Sequence, residues 1–206
     1  MENQRGSAMQ GDENVNGKSL SASPVVYPSG ASFAAVAEEE AGITYSDPVD
    51  DGRVPLIRLE DNLRTHLSPN FTVGSFVGKV GRDYQYARIS VDLVRTIQAI
   101  QERAQAPLLI VSGYRPPAVN ELIKGADQSP HIAGRAADFK ISGIEPLEVA
   151  ALALDEMGPH VGIGLGAGTI HIELRDDLKS WVYTGAKLSH EEFSAWVHER
   201  TEKASL

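Results

Sequence analysis

The chain has no cysteine. That excludes disulfides, thiolate metal ligands and a cysteine nucleophile, and leaves the redox compartment open. No apolar run approaches the roughly 20 residues that span a bilayer, so no transmembrane segment is expected. Positive charge is scarce: 19 Lys and Arg face 28 Asp and Glu, for a formal net charge of -9. No basic stripe interrupts this, so no nucleic-acid partner is expected. Two common motifs are also missing, His-Glu-x-x-His and Gly-x-x-x-x-Gly-Lys-Ser/Thr. The first carries zinc on a helix and the second cradles phosphates.

The charge is unevenly placed. Residues 1–52 hold nine acids and two bases; residues 53–206 hold 19 acids and 17 bases. The first stretch is rich in Ser, Gly, Asn, Glu and Ala, with few bulky apolar residues, and cannot bury enough surface to offset its ordering entropy. It is expected to be a disordered acidic tail, or else a processing segment. Met1 to Lys18 has no apolar core and does not read as a secretory signal. A substrate beyond the membrane would require another delivery route. Oligomeric state is left open.

Residues 53–206 read as one α+β domain, a small and mainly antiparallel sheet flanked by helices. Leu67 to Thr72 forms a turn into a short element. Ser90 opens a helix with Asp92 in its first turn and Leu93, Ile97, Ile100 and Ala104 on one face. Leu108 to Val111 reads as a buried strand, followed by a short helix near 118–124. Arg135 to Ile141 and residues 169–174 read as strands. Pro146 starts a helix with Leu147, Ala150, Ala151 and Leu154 buried. Val161, Ile163 and Leu165 alternate with glycines in a strand with close backbone approach. The glycine-rich run 162–168 precedes a strand, not a helix, so it is no dinucleotide fingerprint. It is read as a narrow wall whose backbone pairs with an extended peptide. Ser189 and Glu192 form a capping box for a helix with Phe193, Trp196 and Val197 inside.

Chemistry concentrates in two segments, Ser129 to Asp138 and Thr169 to Leu174. Side chains alternate across a strand, so Thr169, His171 and Glu173 share one face, opposite Ile170, Ile172 and Leu174. The same alternation sets Asp138 apart from Ala137 and Phe139. Gly134 lets the chain turn between His131 and Asp138. Two imidazoles and one carboxylate hold Zn²⁺ while leaving a position open, the pattern of a catalytic rather than a structural site. His66, His190 and His198 read as surface titrants.

Ser112-Gly113-Tyr114-Arg115, then Ser129-Pro130-His131-Ile132-Ala133-Gly134-Arg135-Ala136-Ala137-Asp138, then Ile170-His171-Ile172-Glu173 resemble the zinc D-Ala-D-Ala carboxypeptidase family. These are M15-type peptidoglycan peptidases of the hedgehog-like and lysostaphin-like zinc fold. Leu67 to Thr72 resembles the opening of a branch found in phage lysins and wall hydrolases. The likeness covers about residues 57–185. It implies Zn²⁺ on His131, Asp138 and His171, Arg115 against the substrate carbonyl or carboxylate, Ser129 orienting substrate, and Tyr114 lining the pocket or packing beneath it. It implies a peptidoglycan stem peptide as substrate, cut by a D-Ala-D-Ala carboxypeptidase or a D,L-endopeptidase acting at the cell wall. The protein would be periplasmic, extracellular or phage-delivered. A non-catalytic zinc-containing wall-binding module of the same fold is the alternative.

Amide hydrolysis needs a base to take a water proton and hand it to the leaving amine. Several relatives carry an acid three residues before the last His; Gly168 stands there in this chain. Glu173, roughly 6.6 Å along the strand from His171, is the expected base. Its alternative role is a carboxylate supporting the metal ligand. His160 is the reserve.

Overall fold

Period-two alternation and capped amphipathic stretches build most of the chain, and the computed structural model describes residues 25–33, 54–79 and 84–204. The strands are β1 (Leu56–Arg58), β2 (Tyr86–Arg88), β3 (Leu108–Ser112), β4 (Ala136–Ile141), β5 (Val161–Leu165), β6 (Ile170–Leu174) and β7 (Lys179–Val182). The helices are α1 (Val73–Val77), α2 (Val91–Ala104), α3 (Pro117–Leu122), α4 (Pro146–Met157) and α5 (His190–Ala204). β1 and β2 pair in a small antiparallel sheet, and the main sheet has the order β3-β4-β6-β5-β7. Its pairings are antiparallel except β5 with β7. The expected α+β class, with a mainly antiparallel sheet, is what forms.

Local chemistry explains the helix ends. The Ser90 hydroxyl accepts from the Leu93 N–H and starts α2, and Gln105, in the left-handed conformation at φ 50°, stops it before Pro107. Ser189 and Glu192 exchange the two bonds of a capping box at the start of α5. Ala137, Phe139, Ile170, Ile172, Val161, Ile163 and Leu165 of the sheet join Leu93, Ile97 and Ile100 of α2, Ala150 and Leu154 of α4, and Phe193 of α5 in one core. Burying each large apolar side chain there contributes roughly 1.5–3 kcal/mol. The polar faces of β4 and β6 are left for the site.

Five expectations change. Leu108 to Val111 is not a fully buried strand. β3 is an edge strand with a bulge beside Ser112, and Leu109 and Val111 are 56% and 52% exposed. In α4 the buried stripe is Val149, Ala150, Ala153 and Leu154, one residue round from the expected one. β7 was not foreseen. Because it pairs with β5 while β6 takes the other side, the glycine-rich strand has no free edge for an extended peptide. The tail expected over residues 1–52 does not include residues 25–33: Tyr27 is buried, and its hydroxyl donates to the Ile89 carbonyl at 2.5 Å. The remainder of that stretch lies outside the described residues. No described helix is long and apolar enough to cross a membrane.

Candidate metal centre

Backbone geometry brings the three ligand-type side chains together. Antiparallel pairing sets Asp138 of β4 directly opposite His171 of β6. His131 comes from the loop before β4, which folds tightly: the His131 carbonyl accepts from Gly134 N at 3.2 Å and from Arg115 N at 3.0 Å. Gly134 makes this possible. Its φ is +68°, and a Cβ there would collide with the Arg88 carbonyl.

The result is a triad in which both imidazoles are buried and Asp138 is half-buried. His131 Nε2 lies 3.2 Å from His171 Nδ1 and 3.4 Å from Asp138 Oδ2, and His171 Nδ1 lies 2.8 Å from Asp138 Oδ1. Tautomers follow from the other ring nitrogens. His131 Nδ1 sits 2.7 Å from the Gly113 carbonyl, which can only accept, so Nδ1 carries the proton. His171 Nε2 sits 3.2 Å from Glu173 Oε2 and donates to it. In the neutral rings, two lone pairs and a carboxylate then face one point with no proton between them. Metal–ligand distances of about 2.0–2.1 Å in a tetrahedron place donors roughly 3.3 Å apart, close to the separations here. His131, Asp138 and His171 are a group that could hold a metal ion.

Burial pushes the Asp138 carboxyl up, but the two imidazoles outweigh it and hold it well below the usual carboxylate range. Burial pulls His171 down, and hydrogen bonds with Asp138 and Glu173 more than reverse this, so its pKa is raised. Glu173 is likewise pushed up by burial yet ends lowered, because His171 and Arg175 bind its charged form. Arg175 Nη1 donates to Glu173 Oε1 at 2.6 Å.

Each residue of Ser112-Gly113-Tyr114-Arg115 has a structural task. The Ser112 hydroxyl accepts from Arg115 at 3.4 Å, and the Gly113 carbonyl fixes the His131 tautomer. Gly113 packs against the Phe76 carbonyl where a Cβ has no room. Tyr114 is buried and its N–H donates to that same carbonyl, so it packs beneath the cleft. Burial raises its phenol to about 12. Arg115 reaches Asp138 Oδ2 at 3.6 Å and Asn120 Oδ1 at 3.2 Å.

A cleft of about 540 Å³ opens over the triad, with Arg115, Ser129 and Glu173 in its lining. His160 is absent from that lining; it is exposed and contacts the Asp176 carbonyl. His66, His190 and His198 are exposed as well. Sequence reasoning missed Asn120, Arg175, Trp181 and Tyr183. The Trp181 ring lies 5.2 Å and the Tyr183 ring 6.4 Å from that of His171, centroid to centroid. The alternation Lys179-Ser180-Trp181-Val182-Tyr183 was the available signal, since it puts both rings on one strand face. Burial raises the Tyr183 phenol and keeps it neutral.

No curated protein matches this chain. A family model described as Peptidase M15 matches residues 66–173, a span that contains His131, Asp138 and His171 and ends at Glu173. The match covers half the chain and encloses the whole triad, and the chain belongs to the peptidase M15 family.

Proposed function

We propose that this peptidase uses Zn²⁺ to hydrolyse peptide bonds in peptidoglycan stem peptides, as a D-Ala-D-Ala carboxypeptidase or a D,L-endopeptidase. The observation that carries the reading is the convergence of three lone-pair donors, His131 Nε2, His171 Nδ1 and Asp138, in a cleft open to a peptide. Two imidazoles and a carboxylate without thiolate suit zinc with an open position. Bound there, the ion would supply a Lewis acid and an acidified water. The motif order Ser-Gly-Tyr-Arg, Ser-x-His, and strand-borne His supports a stem peptide as the substrate. Action would then be at the cell wall.

The chain's own residues divide the remaining work. Arg115 is held from behind by Ser112 and Asn120, and its planar fork suits an oxyanion or a terminal carboxylate. Ser129, buried in the cleft wall, orients the substrate backbone. For Glu173 the geometry favours support of His171 over proton transfer. Both its oxygens are engaged, and a carboxylate with a lowered pKa is a weak base. Such partners typically change metal affinity by 10–100-fold. Glu173→Ala is therefore expected to weaken zinc binding by about that factor; a residue acting only as base would leave zinc affinity intact while turnover vanished.

The central test has two parts. His131→Ala and His171→Ala should each lose bound zinc, measured by elemental analysis of the purified protein. Unchanged stoichiometry rejects the assignment. Zinc-loaded wild type should release stem-peptide fragments from purified peptidoglycan, and a zinc-bound protein that releases none would be a binding module instead.

A further inference from the structure

Strand β7 delivers a hydroxyl to the cleft from the side opposite Arg115. Arg115 follows β3 at one edge of the sheet, while Tyr183 follows β7 at the other. The Tyr183 N–H donates to the Leu165 carbonyl at 2.8 Å, which extends the β5–β7 pairing by one residue and fixes where the ring starts. In that register Gly164 is opposite Trp181 and also opposite His171. A Cβ on Gly164 would lie 2.6 Å from Trp181 Nε1 and 2.7 Å from Tyr183 Cε2. The bare glycine is what lets both rings, edge to face with each other, pack closely over β5 beside the triad. Tyr183 is 46% exposed and lines the same cleft as His131, Asp138 and His171.

Both carboxylates of that cleft are engaged by neighbouring side chains. Asp138 is held by two imidazoles and Arg115. Glu173 is held by His171 and Arg175. Ser129 is buried. The Trp181 and Tyr183 rings meet edge to face with centroids 6.3 Å apart. An indole N–H donates only, so Trp181 does not take up the phenol O–H, which is left to donate into the cleft.

We propose that Tyr183 is a catalytic residue of this cleft: its hydroxyl donates a hydrogen bond to the scissile carbonyl oxygen as that oxygen becomes anionic. It forms no bond to substrate and transfers no proton. It stabilises developing charge from the β7 side as Arg115 does from the β3 side. A donor aimed at charge that exists only in the transition state raises turnover without tightening substrate binding. The inference rests on the peptidase reading of the site.

The test compares wild type with Tyr183→Phe, which keeps the ring against Trp181 and His171 and removes one oxygen. The probe is a phosphinate analogue of an Ala-Ala dipeptide, a tetrahedral anion, bound to the zinc-loaded full chain and followed by calorimetry. Tyr183→Phe should bind it about 10- to 100-fold more weakly, the range for a hydrogen bond to a charged group, with zinc content unchanged. The ordinary planar Ala-Ala dipeptide should bind both proteins alike. Equal phosphinate affinity in the two proteins overturns the proposal, and so does a wild type that does not bind the phosphinate at all. A wild type that binds it through Tyr183 yet leaves purified peptidoglycan intact upholds the hydrogen bond and rejects the stem peptide as substrate.

Discussion

At His171, a proton and a metal ion compete for one lone pair. Without a cation, Asp138 and Glu173 raise the pKa of this imidazole above its ordinary 6.5 against the pull of burial. A metal ion takes the place of that proton, so binding releases it. The sign follows: as pH falls through the raised pKa, which lies above 6.5, protons displace metal and affinity drops by up to about tenfold per pH unit. Zinc titrations from pH 6 to 9 should show affinity rising and then levelling; a flat profile would mean that His171 does not bind through Nδ1. The metal-free protein should behave in the opposite sense. A raised folded-state pKa stabilises below 6.5 and loses that contribution as pH rises through it. Added zinc should therefore raise the melting temperature more at pH 8.5 than at pH 6. A second residue-scale prediction concerns Gly164. An alanine there must displace the Trp181 and Tyr183 rings, at a cost of about 1–3 kcal/mol typical of overpacking. The expected signature is altered tryptophan fluorescence with an intact far-UV spectrum.

At the scale of elements, the site depends on a loop between β3 and β4 as much as on the strands. Gly134 and Gly143 both have positive φ, +68° and +76°. Only Gly134 would also drive a Cβ into backbone, at Arg88, whereas nothing lies within 4 Å of Gly143. Gly143→Ala should cost about 1–2 kcal/mol from conformation alone. Gly134→Ala adds a collision that moves the His131 loop, so it should lose zinc while Gly143→Ala keeps it. Elemental analysis of the pair separates the two effects. This contrast also marks what the sequence could reveal. Alternation placed Asp138 and His171 on open strand faces, and motif order brought His131 to them, because those signals are local or carried by a whole motif. Strand order is not local. Leu108 to Val111 is as apolar as a central strand, and its edge position, with Leu109 and Val111 exposed, is set by what pairs with β4. Glu173 shows the same limit. Its spacing from His171 was readable, but not the Arg175 contact on one oxygen or the Nε2 contact on the other.

Across the whole molecule, a segment that composition assigns to a tail joins the core through one aromatic residue. Tyr27 is 2% exposed, meets Phe33 edge-on at 5.6 Å, and donates to the Ile89 carbonyl just before α2 begins. Residues 25–33 thereby connect to the helix whose N-cap, Ser90, donates its own N–H to the Gly134 carbonyl of the His131 loop at 2.9 Å. Replacing Tyr27 by alanine should cost about 3–5 kcal/mol, as for other buried aromatics. Replacing it by phenylalanine should cost about 1 kcal/mol for the lost hydrogen bond. The two tyrosines also set an alkaline limit. Burial raises the Tyr27 phenol far above its ordinary 10.0 and raises Tyr114 to about 12. The unfolded chain therefore ionises first, holds fewer protons than the folded one, and gains on it as pH rises. Stability is full below pH 10, falls from there to about 12 through Tyr114, and continues falling through Tyr27. Urea midpoints at pH 8, 10 and 11 should be level and then drop, and Tyr27→Phe should show a shallower drop than wild type. An identical slope in the two proteins would mean that Tyr27 is ionisable in the folded state, and that residues 25–33 do not close over it in solution.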